Sequence, residues 1–442
     1  MKLFLPLIFA LILWMPAASQ AQSVIRDSEI EITLKTWSEP IFRAAGLSTQ
    51  QVNIIIINDP RVNAFVAGGA NIFLFTGLFD RAETPEEIIG VIAHETGHIA
   101  GGHLVRLRGS MEQASFETII GTILGIGAAV LTGEGAAAGA IISGSQQIAT
   151  RRFLAHSRLN ESSADQAALD LMTRAGIDPG GLVTFLEKLE GDELLPQSQQ
   201  SEYARTHPIT GNRIEALRRG AAESSAAGTP LPAGWYDQYE RITAKLTGFL
   251  SPEQVSWQYD ETRQDIPALY ARAIAAYRQN EVELALRLIA DLVEREPQNP
   301  YFNELKGQML VDFGRIKQAL PFYARAVDLA PRAPLMRMAY AHALIEEAGR
   351  ENPDQLRAAI NQLKVAEQSE KRSARLHRLL ATAHGRLGEE VSAQLHLAEE
   401  AFLQQRIKDA ERFATIARDN AAQGSRAWIR ASDILNAIER DG

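Results

Sequence analysis

Residues 94–98 read His-Glu-Thr-Gly-His, and no other run in this chain so narrows the fold around it. Two imidazoles four residues apart can converge on one point when the backbone between them is an α-helix, where such positions share a face. The flanking sequence predicts a helix from 85 to about 108. Thr84 reads as its N-cap, Pro85 suits the first helical position, and Glu87 completes a capping box. Apolar Ile88, Ile89, Val91, Ile92 and Ile99 follow. A helix this apolar does not carry two histidines and a glutamate without cause, because unpaired polar groups are costly to bury. Gly97 costs about 1 kcal/mol relative to alanine in mid-helix, which implies close approach by another element. The pattern fits a zinc site, with His94 and His98 as ligands and Glu95 placed to take a proton from water.

A catalytic zinc keeps three protein ligands and one open position. An extended motif, H-E-x-x-H-x-x-G-x-x-H, would take its third ligand from the same segment. Gly101 fits, but position 104 is Leu and the nearest histidine is His103. A better source is Asn160-Glu161-Ser162-Ser163-Ala164-Asp165, on a predicted helix ending near Gly176. Glu161 and Asp165 then lie one turn apart. Glu161 would bind the metal, and Asp165 would accept a hydrogen bond from a ligating imidazole and fix its tautomer.

On these residues the chain resembles the M48 family of zinc metallopeptidases, over about Glu29 to Arg213. The family's H-E-x-x-H and E-x-x-x-D stand as His94, Glu95, His98, Glu161 and Asp165. Residues 63–69 and 72–78 resemble the paired strands that precede the metal helix, and His207-Pro208 with Arg213 resembles the H-P-x-x-x-x-R element. The resemblance implies a zincin-type (gluzincin) α+β domain with a small sheet and one zinc per chain. It also places His207 near the metal, as a transition-state donor or as a fourth ligand that must leave before catalysis. Arg213 would brace the site.

Residues 28–46 read as a helix, 52–57 as a buried strand, and 62–67 and 71–76 as strands joined through Gly68-Gly69. A sheet edge beside a zinc helix can pair with an extended peptide and lay its scissile bond over the metal, so polypeptide substrates are favoured over small molecules. Between the halves of the zinc site lies an apolar, Gly-rich stretch at 109–150. Its core, 116–142, is interrupted by Thr132-Gly133-Glu134-Gly135. One continuous span would place Glu134 at mid-membrane, which is costly. Two short helices would form a core hairpin, dip into a membrane surface or cover the cleft. Its position between ligand-bearing helices favours a mobile cover.

Residues 220–234 read as a loop, and an all-α array follows. Pro297 and Pro331 are 34 residues apart, as are Pro300 and Pro334. Ala273 matches Gly307, Ala285 matches Ala319, Ile289 matches Tyr323, and Leu292 matches Ala326. These are tetratricopeptide units. A third starts at Pro334 with an insertion near Glu351-Asn352-Pro353, a fourth near Ala374, and helices carrying Ala393 and Ala410 continue a solenoid suited to binding peptides or proteins.

The first 21 residues read as a signal peptide: Lys2, an apolar run from Leu3 to Met15, then Ser19-Gln20-Ala21 before cleavage. The run is too short for a comfortable span. The chain has no cysteine, so disulfides, thiol catalysis and a lipidated N-terminus are all excluded. A net charge of −9 argues against nucleic-acid partners. The expected organisation is 22–262 as metalloprotease domain and 263–442 as repeats. The expected function is a periplasmic zinc endopeptidase. The two-part architecture resembles periplasmic M48 proteases with C-terminal repeats, which implies outer-membrane proteins as substrates and the outer-membrane assembly machinery as partner. The alternative is a chaperone or scaffold with latent proteolysis. A membrane-embedded protease would need several long apolar spans that the sequence lacks.

Overall fold

The computed structural model describes residues 23–102, 158–191, 195, 200–349 and 352–441. The segment expected to be a signal peptide and the apolar stretch at 109–150 lie outside these residues.

The N-terminal half is α+β. Helix α1 (Ser28–Ala44) is capped by Asp27, whose carboxylate accepts from Ile30 N, and it buries Ile30, Leu34, Trp37, Ile41 and Phe42. Gly46, at φ 71°, ends it. Four strands follow the order β1-β2-β4-β3, with β1 Ser23–Ile25, β2 Asn53–Asn58, β3 Ala64–Ala67 and β4 Asn71–Phe75. β2 and β4 are parallel, with Ile55 opposite Phe73. β3 and β4 form the expected hairpin through Gly68 and Gly69, both at positive φ, a conformation that glycine adopts at little cost. β1 was not anticipated. It is three residues long, too short to show a periodicity, and it pairs antiparallel to β2 through Val24 and Ile57.

After α2 (Thr76–Arg81) comes α3 (Pro85–Ala100). Pro85 opens it as expected, but the capping box does not form. Thr84 makes no side-chain cap bond, and Glu87 instead accepts from Glu83 N and pairs with Lys188 at 2.7 Å. Nor does α3 reach 108. Gly101 caps it and Gly102 turns to φ 61°, breaking the α-helical path. Then come α4 (Arg158–Ala175), α5 (Gly180–Glu190), α6 (Glu202–Thr206), α7 (Gly211–Glu223) and α8 (Ala233–Leu250). The loop expected at 220–234 is shorter, because α7 continues to Glu223 and α8 begins at Ala233. One apolar core joins α1, the sheet, α3, α4, α5 and α8.

Beyond a 3₁₀ turn and a helical turn at 252–258, ten helices form five antiparallel pairs: α9 (Ile266–Arg278) with α10 (Val282–Arg295), α11 (Pro300–Asp312) with α12 (Ile316–Leu329), α13 (Pro334–Ala348) with α14 (Pro353–Ala366), α15 (Ala374–Arg386) with α16 (Glu390–Leu403), and α17 (Ile407–Asn420) with α18 (Arg426–Asp441). Pro300 and Pro334 open first helices, where no amide donor is needed. The matched small positions are packing points: a Cβ on Gly307 would sit 3.0 Å from the Tyr323 ring. Asn352 caps α14 by accepting from Gln355 N; Glu351 of the expected insertion is outside the described residues.

The halves meet through a buried ionic cluster. Lys245 of α8 lies 2.6 Å from Asp27 and 3.1 Å from Glu29, and the Tyr270 hydroxyl of α9 donates to Glu29 at 2.8 Å. Burial opposes charge on Lys245, but Asp27, Tyr270 and Glu29 outweigh it and raise its pKa. Arg241 pairs with Glu296 at 2.6 Å, and Arg26 with Glu370 at 2.7 Å.

Candidate metal centre

α3 and α4 cross where Gly97 faces Ala164. A Cβ at position 97 would lie 2.8 Å from Ala164 O and 3.1 Å from the Ala167 Cβ. The missing side chain lets the helices approach and brings Glu161 to the two histidines. His94 Nε2 and His98 Nε2 are 3.1 Å apart, and Glu161 lies 3.4 Å from the first and 3.5 Å from the second. His207 joins them with Nδ1 at 3.1 Å from Glu161. One ligand atom from each of these four buried residues lies within 4.8 Å of the others.

His207 is placed by local structure. Ser201 caps α6, Tyr203 N donates to Val62 O at 2.9 Å, and His207 is the C-cap of α6, with its N–H on Tyr203 O. Its ring stacks on Tyr203, with centroids 4.6 Å apart, and its Nε2 reaches Ala64 O at 3.1 Å. That oxygen belongs to the sheet edge. Phe75 N donates to Asn63 O, so the Ala64–Leu74 pair is the non-hydrogen-bonded one, and the Ala64 carbonyl points away from β4. Thr206 donates to Asn63 Oδ1.

Around this group, Asp165 Oδ1 lies 3.0 Å from His94 Nδ1. Arg213 of α7 grips Asp165 through two bonds of 2.7 and 2.9 Å, lies 3.1 Å from Glu161, and donates to Pro208 O. Glu95 is fully buried, with Oε1 3.5 Å from His207 Nε2. All seven residues singled out from the sequence therefore meet in one place. Tyr203 was not foreseen: it is fully buried, and its hydroxyl has no hydrogen-bond partner. Neither periodicity nor motif marks it, beyond lying one helical turn before His207.

The centre is built to hold positive charge. Burial opposes charge on His94, but Asp165 and Glu161 outweigh it and push its pKa up to about 10. Burial would raise Glu161, yet His207 and His94 hold it well below the usual carboxylate range. Burial raises Glu95 despite His207 and His94. Among the described residues, Glu161 Oε1 and both Glu95 oxygens are buried without a hydrogen-bond partner. Three imidazoles and one carboxylate around such orphaned oxygens are a zinc donor set.

Residues 30–221 match peptidase family M48, and residues 270–334 match the tetratricopeptide repeat. The chain joins an M48 peptidase domain to a tetratricopeptide array. It is similar to the β-barrel assembly-enhancing protease of Escherichia coli K12, 26% identical over 302 residues, covering 66% of this chain and 60% of that one. The protein of the same name in Yersinia pestis is 27% identical over 60% of this chain and 54% of its own. The mitochondrial metalloendopeptidase OMA1 of Schizosaccharomyces pombe is 28% identical over 42% of this chain and 51% of its own. The chain spans about three-fifths of the length of the E. coli relative. Among the described residues no helix is long and apolar enough to cross a membrane.

Proposed function

We propose that this protein is a zinc endopeptidase that cleaves polypeptides in the periplasm. The observation that carries the proposal is the convergence of His94, His98 and Glu161 beside a buried, unbonded Glu95. Bound there, zinc supplies Lewis acidity toward the scissile carbonyl and toward water. Glu95 takes the proton from water and passes it to the leaving amine. Burial raises its pKa, which brings it nearer the range where a shuttle both accepts and releases protons. Asp165 orients His94, and Arg213 holds Asp165 and Glu161 in place. β3 is the last strand of the sheet and is buried along its length, so an extended substrate would pair with the side away from β4 once that edge is uncovered.

His207 is assigned as a removable fourth ligand. Ala64 O accepts from its Nε2, and Nδ1, 3.1 Å from Glu161, is the nitrogen that would face the metal. In that pose it would take the position that a catalytic zinc keeps open, and it occupies the Ala64 carbonyl on the side of β3 away from β4. The resting site is therefore closed to both the substrate carbonyl and the substrate backbone.

The periplasmic assignment rests on the signal-like first 21 residues. The bacterial relatives are named for β-barrel assembly and proteolysis; we extend this to misfolded or stalled outer-membrane proteins as substrates, with the repeats binding substrates or the assembly machinery. The test is Glu95→Gln. It should abolish hydrolysis of an unfolded substrate while retaining about one zinc per chain. Undiminished envelope function in cells carrying that variant would instead establish a scaffold with latent proteolysis.

A further inference from the structure

The metal centre leaves unexplained a cavity of about 750 Å³ at the far end of the repeats. It opens between α14, α16 and α18, with α15 behind. The N-terminal half reaches the array through Tyr270 on α9, Glu296 before α11 and Glu370 after α14, the last beside Lys371 at the edge of the cavity.

Lys364 and Arg426 and, in the turn between α14 and α15, Lys371 stand exposed around the cavity. Among the described residues the side chains of these three make no ion pair or hydrogen bond; Lys371 takes part only through its carbonyl, which accepts from His377 Nε2 at 3.0 Å. The nearby carboxylates are engaged. Arg430 holds Glu399 at 2.5 Å and Glu367 at 3.1 Å, and Glu370 is taken by Arg26. The lining thus sets Lys364, Lys371, Arg426 and Arg430 against Glu367 and Glu399, an excess of positive charge in a chain of net charge −9. Leu380, Leu395 and Ala427 line its apolar part. Beside them His396 stacks between His377 and His384, with centroids 5.4 and 5.7 Å away. Burial, then His377 and Arg430, push its pKa down to about 2, so it lines the cavity as a neutral ring. The pull on an anion comes from the rim.

We propose that this cavity binds an acidic stretch of polypeptide, with carboxylates on Lys364, Lys371 and Arg426 and an apolar side chain among them on Leu380, Leu395 and Ala427. An inorganic anion would leave most of the volume and all of the apolar lining unused. A cavity of this size suits a ligand with several side chains.

The test is fluorescence anisotropy on the full-length, zinc-loaded Glu95→Gln chain, which will not cut the probe. The probe is a labelled peptide alternating glutamate and leucine; the control replaces glutamate with glutamine. The acidic probe should bind saturably and more weakly as salt rises. K364Q/K371Q/R426Q should lose about tenfold or more in affinity, as expected when several rim charges are removed together. The double variant K364Q/K371Q, altering only exposed side chains, should show a smaller loss and substitutes if the triple variant misfolds by circular dichroism. Equal binding of the glutamine control, or full affinity in the charge variants, would overturn the proposal. So would equal competition by inorganic phosphate or by anionic phosphatidylglycerol vesicles.

Discussion

Replacing Arg213 with alanine tests whether the metal centre is held by its outer contacts. The guanidinium is 6% exposed, grips Asp165 with two bonds and stands 3.1 Å from Glu161. Removing it takes the guanidinium from two buried carboxylates and leaves them sharing the positive charge of His94. Deleting one partner of a buried ion pair costs about 3–5 kcal/mol, and the Pro208 carbonyl loses a donor worth about 1 kcal/mol. The variant should therefore be destabilised by about 3–5 kcal/mol in metal-free urea unfolding followed by circular dichroism. Bound zinc can replace the lost cation for Glu161 but not for Asp165, so part of the loss should persist in the zinc-loaded protein. Asp165→Asn/Arg213→Ala should cost less than the two single changes added together, because the pair fails as a unit. A loss for Arg213→Ala below about 1 kcal/mol, or strict additivity in the double variant, would refute the reasoning.

His207→Ala should raise peptide hydrolysis and leave zinc bound, because it frees the open position and the Ala64 carbonyl; a fall in kcat of about 10²–10³ with KM unchanged would instead mark a transition-state donor. Gly97→Val should force α3 and α4 apart at Ala164, costing about 1–3 kcal/mol and weakening zinc binding; unchanged metal affinity by chelator competition would show that the helix contact does not set the ligand spacing. Glu304 is raised to about 8, first by burial and then by Asp27, Glu29 and Glu31, against Lys245. The folded chain keeps this proton after the unfolded chain has lost it, so Glu304 costs stability as pH rises from 4.5 toward 8. Glu304→Gln should raise the melting temperature above pH 8 and have little effect below 4.5; equal shifts at both extremes would exclude the account.

What the sequence reveals here follows the range of its signals. The ligand spacing of His94 and His98, the turn between Glu161 and Asp165, and the repeat of Pro297 and Pro331 are short-range or strictly periodic. Each implies its local geometry without knowledge of the rest. Gly97 disclosed a close approach, though not its partner, because the cost of a helical glycine is local and its benefit is tertiary. Several of the failures are long-range. Glu87 leaves the capping box because Lys188, a hundred residues away, offers a stronger partner. Tyr203 enters the site through a bond to Val62. Lys245 is an ordinary surface residue in sequence and becomes buried only when Asp27, Glu29 and Tyr270 surround it. The link from His207 to the sheet edge depends on the alternation of bonds in a two-strand ladder.

Helix α8 belongs to both halves at once. Tyr239, Ile242 and Leu246 lie in the N-terminal core, Ala244 packs with Ala268 and Ala271 of α9, and a Cβ on Gly248 would meet the Ile274 Cβ at 2.8 Å. A cut before α8 strips apolar cover from the peptidase core, and a cut after it exposes the first repeat. The two activities proposed for this molecule, cutting and holding, therefore share a single stretch of backbone. Strain at the repeats has a rigid route to the metal helix, with no loose tether to absorb it.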